Sequence, residues 1–250
     1  MTSKQRQPRS ETERLEAMYE YEREALQMGC LLIAGVDEVG RGCIAGPVVS
    51  AAVILPPGLM IPGVDDSKKL TARKRQELAV IIKSQALGWA LAAIFPPYLD
   101  KINILNATRE TMITAVSELH PRPDFILIDA LQLPDIDIRQ RSIIKGDSLS
   151  LSIASASILA KVERDLLMEN MDLLYPGYGF HRHKGYATRE HVEALFHHGV
   201  CTIHRQSFEP VKSLCTGGNY AKQPGLFDQF DPEYQHSFDP GTDSQQRRSS

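Results

Sequence analysis

The sequence predicts a mixed α/β fold: a β-sheet flanked by helices, with a helical C-terminal part. Three observations carry this reading. Two β-branched runs, residues 31–39 and 48–55, are separated by the glycine-dense linker GRGCIAG, the pattern of an antiparallel hairpin. Strand-like runs at 88–95, 125–130 and 141–144 then alternate with segments of helical periodicity, as strands crossed by helices do. After them come a long helical stretch at 153–174 and a shorter one at 188–198.

In chain order, residues 1–28 are polar, with a helical pattern from Thr12 to Met28 whose one face carries Leu15, Tyr19, Glu22 and Leu26. The rest of that stretch is mostly Glu and Arg, so it is expected to be a solvated extension ending at Gly29 as its C′ residue. The compact domain then occupies residues 29–215. Pro56-Pro57 and Pro62-Gly63 close the second strand. Residues 71–87 turn helical, with Leu78, Ile81, Ile82 and Gln85 on a partly apolar face. The run GWALAAIF at 88–95 is a third strand, stopped by Pro96-Pro97, with Trp89 expected in the core. Residues 104–119 space Leu105, Met112, Val116 and Leu119 as an amphipathic helix. FILIDA at 125–130 is almost wholly apolar, as strands buried on both faces are. Beyond Cys215, residues 216–250 run to Gly, Gln, Asp, Pro and Ser with few aliphatics, the composition of a disordered tail.

Composition excludes several classes. The chain is 42% hydrophobic and 24% charged, as soluble globular proteins are. No apolar run reaches the roughly 18–20 residues a membrane helix needs. The N-terminus has no apolar secretory segment and is too rich in Glu for a transit peptide. Four cysteines without a C-x-x-C pair form no disulfide framework, which suits a reducing cytoplasm. A monomer is expected. Net charge is −3, but residues 29–215 hold 20 basic and 20 acidic residues. A neutral core still leaves room for a local basic stripe that binds nucleic acid.

The most informative residues are carboxylates where burial should forbid them. Asp37 and Glu38 close an apolar strand, Asp129 ends FILIDA, and Asp147 lies in KGDS just before the long helix. An unpaired buried charge costs several kcal/mol, so a cation or hydrogen-bond donors must offset it. One such residue alone reads as a turn former or a cap. Several together, without His or Cys, point to Mg²⁺ or Mn²⁺. Neighbouring strand residues face opposite ways, so the backbone must bend at or after Glu38, where Gly40 and Gly42 permit it. In Gly40-Arg41-Gly42 the backbone can approach a ligand beside a bidentate donor. The loop matches neither a Walker A nor a dinucleotide fingerprint.

Residues 181–205 hold six of the eight histidines, but with Cys201 they match no structural zinc spacing. A surface meeting phosphates through Arg182, Lys184 and Arg205 is the better reading. Lys68, Lys69, Arg73, Lys74 and Arg75 are either a solvated helix start or a second phosphate-binding patch.

The segments DEVGRGCIAGPVVSAAVIL, DSKKL, NILNAT, ILIDA, KGDS, SASILAKVERD, YGFHRHKGY and HRQSFEPV occur in that order over about three quarters of the chain. Together they closely resemble bacterial ribonuclease HII. The resemblance implies a ribonuclease H-like fold and an endonuclease that cleaves RNA paired with DNA. It also implies nicking 5′ of single ribonucleotides embedded in duplex DNA, by two-metal hydrolysis leaving 5′-phosphate and 3′-hydroxyl ends. By resemblance, Asp37, Glu38, Asp129 and Asp147 are the metal-binding and catalytic carboxylates, with Mn²⁺ or Mg²⁺ as cofactor. Asp165 is the alternative to Asp147, ranked lower because Lys161 lies four residues before it. Gly40, Arg41 and Gly42 would read the ribose 2′-hydroxyl. Tyr186, with Tyr178 as its rival, would sense the substrate, and Lys184 would contribute to binding it. In the tail, Gln223-Pro224-Gly225-Leu226-Phe227 resembles the short motifs that dock on the DNA sliding clamp.

Overall fold

The computed structural model describes residues 10–217. The sheet has five strands, β1 (Ile33–Val39), β2 (Val48–Ile54), β3 (Gly88–Ile94), β4 (Phe125–Asp129) and β5 (Arg139–Ile143), in the order β3-β2-β1-β4-β5. β1, β2 and β3 form the expected antiparallel set, and β4 and β5 add in parallel on the other side of β1. This is the mixed sheet the sequence predicts. The helices are α1 (Glu11–Met18), α2 (Glu20–Gln27), α3 (Ala72–Gln85), α4 (Tyr98–Ile102), α5 (Ile104–Ser117), α6 (Leu151–Leu174), α7 (Phe180–His183), α8 (Arg189–His198) and α9 (Val211–Cys215). No helix among the described residues is long and apolar enough to cross a membrane.

Strand alternation divides the core. Ala34, Val36, Ala52, Ile54, Ile126 and Ile128 face α5, where Met112, Ala115 and Val116 meet them. The opposite face holds Ala51 and Val53 against α3 and α6, and Phe125 and Leu127 against Ile153 of α6. Ile126, Leu127 and Ile128 are wholly buried, each contributing about 1.5–3 kcal/mol of transfer free energy. α6 lies so close to β1 that a Cβ on Gly35 would sit 2.0 Å from the Ser152 carbonyl carbon. A glycine at 35 thus sets how near α6, with its inward-facing serines, comes to the strand that carries Asp37.

Three expectations are revised. The 12–28 helix is two helices, divided at Tyr19, and its marked face is packed, not solvated. Leu15, Met18 and Tyr19 join the core beside α3 and α6, and the Tyr19 hydroxyl accepts the Gly58 N–H at 2.6 Å. Glu22 is buried, and its Oε1 accepts the hydroxyls of Ser150 and Ser152 and the Ser152 N–H at the N-terminus of α6. A carboxylate is favoured there by the helix dipole, which is why Glu22 reads as polar yet lies inside. Gly29 is the C′ residue as expected, with φ +82° and the Cys30 N–H returning to the Ala25 carbonyl. Trp89 lies on edge strand β3 and is 40% exposed, its ring covered by the Lys83 ammonium at 4.5 Å instead of by the core. Residues 223–227 lie outside the described residues.

Candidate active site

The parallel pairing of β1 and β4 sets Gly35 opposite Leu127 and Val36 opposite Ile128. The next positions on the two strands are Asp37 and Asp129, so both carboxylates stand at carboxyl ends of adjacent parallel strands. That is the edge where open α/β sheets bind ligands. By alternation both side chains share the α6 face with Phe125 and Leu127. Asp37 is 3% exposed; it accepts the Glu38 N–H at 2.8 Å and the Ser157 hydroxyl. β1 stays paired through Val39, so Glu38 leaves the strand on the other face from Asp37. Yet its charge acts on Asp37 and is acted on by Asp129, and its Oε1 meets Arg41 at 3.4 Å. The chain turns at Gly40, whose φ is +93°.

Asp129 Oδ1 accepts the Gly146 N–H at 2.7 Å. A side chain at 146 would press on Ile153 at 2.6 Å, so glycine permits the turn Gly146–Ser148 to close on Asp129. Asp147 in that turn is buried, with the Lys68 ammonium at 4.0 Å. Ala130 and Lys145 flank these carboxylates in the left-handed region, at φ 52° and 59°. For residues with a Cβ that is stored strain, and it sits beside both carboxylates.

Burial raises all four carboxyls above their ordinary range. At Asp37 the charges of Glu38 and Asp129 add to it; at Asp147 those of Asp66 and Asp129 do. Burial raises Glu38 against the pull of Arg41, and Asp129 against its bond from Gly146. The protein's own hydrogen-bond donors thus leave the negative charge incompletely offset, and the four side chains offer only oxygen ligands. That set fits a hard divalent cation. Among the described residues no three His, Cys, Asp or Glu side chains stand close enough together to hold an ion as they are placed. Asp165, the alternative ligand, pairs with Lys161 at 2.7 Å, as its spacing predicts, and faces Arg75.

Asp66 is the residue the sequence reading did not single out. Its charge acts on both Asp129 and Asp147, while its Oδ1 caps the Lys68 N–H at 2.9 Å. Its neighbour Ser67 meets Ser157, the donor to Asp37, at 2.9 Å between hydroxyls. The signal was the Asp65-Asp66 pair before Ser67-Lys68-Lys69, in a loop with no strand pattern to mark it. Arg75 caps the carbonyls of Ser67 and Leu70, so at least this member of the basic run is structural.

Two buried arginines support the glycine loop. Arg164 donates to the carbonyls of Pro47, Lys184 and Ala45, and a Cβ on Gly40 would collide with its Nε at 2.2 Å. Arg205 donates to the carbonyls of Gly46 and Arg41. Arg205 is wholly buried, so the expectation that it meets phosphates from the surface is corrected: a cation read from sequence as exposed holds loop carbonyls instead. Arg41 and Gly42 at the loop tip are exposed.

The segment bearing Tyr186 is bonded to this loop, because the N–H groups of Ile44 and Ala45 donate to the Gly185 carbonyl. Tyr186 is half-buried, with Lys161 and Arg164 over its ring. Its rival Tyr178 stacks on Phe180 and donates to the Gly199 carbonyl at 2.9 Å, a core role. Lys184 pairs with Glu169 at 2.6 Å, and Arg182 pairs with Glu190.

The family model described as ribonuclease HII matches residues 34–211. The chain belongs to the ribonuclease HII family. It is therefore a ribonuclease H, a metal-dependent endonuclease acting on the RNA of RNA–DNA hybrids. Among relatives, the ribonuclease HII of Syntrophomonas wolfei is 62% identical over 225 residues, covering 90% of this chain and 88% of that one. A solved PCNA:RNase HII complex from Archaeoglobus fulgidus superposes with a TM-score of 0.62 at 26% identity, over 79% of this chain and 100% of that one. Bst-RNase HIII in complex with Mn²⁺ superposes with a TM-score of 0.53 at 22% identity, over 79% of this chain and 73% of that one. These likenesses give the fold as ribonuclease H-like.

Proposed function

We propose that the protein nicks duplex DNA immediately 5′ of a single embedded ribonucleotide, besides cleaving RNA in hybrids. One observation carries the reading. The glycine loop follows directly from β1, whose Asp37 stands beside Asp129 of β4, and that loop is hydrogen-bonded to the Tyr186 segment. A phosphodiester bound at the carboxylates would therefore lie beside the groups suited to read its ribose.

Asp37, Glu38, Asp129 and Asp147 would hold two divalent ions, Mn²⁺ or Mg²⁺; the Mn²⁺ complex of the RNase HIII supports a metal of this class. When bound, such ions supply positive charge to the attacking and leaving oxygens of an in-line displacement. The carboxylates thus position charge, and none has to act as general base. Backbone groups of Gly40, Arg41 and Gly42 approach the 2′-hydroxyl, the group that separates RNA from DNA, and Arg41 adds a guanidinium for phosphate. Tyr186 packs against the junction nucleotide, and Lys184 reaches phosphate by giving up Glu169. The products carry 5′-phosphate and 3′-hydroxyl ends.

The test is a DNA duplex with one ribonucleotide, incubated with Mg²⁺ or Mn²⁺ and, separately, with EDTA. Metal-dependent nicking on the 5′ side of the ribonucleotide is expected. Binding without nicking, or hydrolysis of small phosphodiesters alone, would overturn the reading.

On the same reading the protein is a cytoplasmic monomer that serves replication and repair. Gln223-Pro224-Gly225-Leu226-Phe227 is then a docking peptide for the sliding clamp, supported by the Archaeoglobus complex with PCNA. A peptide of residues 222–232 is expected to bind the clamp at about micromolar Kd. Equal binding by a Leu226→Ala, Phe227→Ala peptide would remove the motif.

A further inference from the structure

The histidines set aside as zinc ligands form a buried chain with one direction. His204 Nδ1 accepts the Cys201 N–H at 3.0 Å, so its proton sits on Nε2. That Nε2 lies 3.2 Å from His191 Nε2, which must then accept. His191 Nδ1 keeps its proton and donates to the Tyr186 carbonyl at 2.8 Å. His183 stacks on His191 at 4.1 Å; it accepts the Gly185 N–H at Nδ1 and donates to the Tyr178 carbonyl from Nε2. Ring tautomers follow from partners, and here a backbone group at each end leaves a single assignment. Burial keeps the rings neutral, with His183 and His204 lowered to about 4 and His191 lower still.

We infer that the chain Cys201–His204–His191 is a positioning device that fixes Tyr186 against the glycine loop, so that recognition of the junction ribonucleotide depends on two histidines that do not touch it. Three links support this. His191 holds Tyr186 by its carbonyl, His183 holds Gly185 by its N–H, and the Gly185 carbonyl holds Ile44 and Ala45 of the loop. The Tyr186 backbone is therefore gripped from two sides, and its ring is turned toward the α6 cations Lys161 and Arg164. The inference rests on the proposed role of Tyr186.

The experiment exploits the direction of the chain. Asn places its amide where His carries Nδ1, and Gln places its amide where His carries Nε2. At 191 the bond to Tyr186 needs Nδ1, so His191→Asn keeps it and His191→Gln loses it. At 204 the bond to His191 needs Nε2, so His204→Gln keeps it and His204→Asn loses it. With the full chain and a one-ribonucleotide duplex, H191N and H204Q are expected within about twofold of wild-type kcat/KM. H191Q and H204N are expected to fall about five- to tenfold, mostly in KM, the worth of one displaced hydrogen bond. A packing role would not produce this crossed pattern. Imidazole ¹⁵N NMR reads the same assignment without activity: His191 protonated at Nδ1 and His204 at Nε2. Opposite tautomers, or equal behaviour of Asn and Gln at both positions, would overturn the inference. If Tyr186→Phe and Tyr186→Ala cleave as wild type does, the recognition reading falls and takes the inference with it. If those variants lose cleavage and the crossed pattern is missing, the inference alone falls.

Discussion

Asp37 and Asp129 lie at the ends of β1 and β4 with fewer donors than lone pairs, and burial pushes both carboxyls up. His183, His191 and His204 are wholly or almost wholly buried, whereas Asp129 is only partly so. But every ring nitrogen has a partner and burial pushes all three down. Both regions remove polar groups from water, at a cost that only compensation offsets. In the C-terminal part the compensation is internal, and the result is a rigid support. At the strand ends it is incomplete, and the negative charge left over is what a cation requires. Burial alone therefore does not mark a candidate site; burial with unbalanced charge does.

The largest test of this contrast removes the imbalance. Asp37→Asn and Asp129→Asn are each expected to lower single-turnover cleavage by at least about 10³-fold, near 4 kcal/mol of transition-state stabilisation. In EDTA the same variants are expected to melt no lower than wild type, because they relieve repulsion between buried charges. Near wild-type cleavage at saturating Mg²⁺ would remove the residue from the site, and a lower melting temperature would make it structural.

Breaking the compensated side has the opposite signature. Arg164→Met leaves the carbonyls of Pro47, Ala45 and Lys184 without their donor and is expected to cost about 3 kcal/mol in urea unfolding. A loss under 1 kcal/mol, on the order of a single surface bond, would show that the loop does not depend on it. Changes at the recognition groups are smaller in stability but selective in activity. Arg41→Ala and Tyr186→Phe are expected to reduce one-ribonucleotide cleavage about tenfold at an unchanged Mg²⁺ midpoint, since neither supplies a carboxylate. Unchanged cleavage in both would separate the loop from recognition.

The two regions also titrate in opposite senses. The histidines are lowered on folding, so the unfolded chain binds more protons and their stability is lost as pH falls from 6.5 toward 4. The carboxyls are raised, so the folded chain binds more protons and gains stability as pH falls through their raised values. Unfolding in EDTA between pH 7.5 and 5 is therefore expected to show a steeper acid loss in Asp37→Asn and a shallower one in His191→Asn. Parallel pH profiles for wild type and both variants would remove the contrast.

Much of this was legible in the residues themselves. Periodicity located the five strands and the principal helices, Gly29 marked the end of α2, and apolar strands ending in acid marked Asp37 and Asp129. Those signals are local, because a strand's alternation and a helix's cap are written within a few residues. What only the tertiary structure decided lies between segments far apart in the chain. The parallel register of β1 and β4 sets Asp37 beside Asp129, 92 residues away. Ser150 and Ser152 draw Glu22 inside across about 130 residues. Arg205 reaches the Arg41 carbonyl across 164. The fold sets the Asp66 charge where it acts on Asp129 and Asp147, and Trp89 loses its place in the core because β3 ends the sheet. A residue's own chemistry states what it needs, a donor, a counter-charge or apolar cover, but which distant group supplies it is settled only when the elements pack.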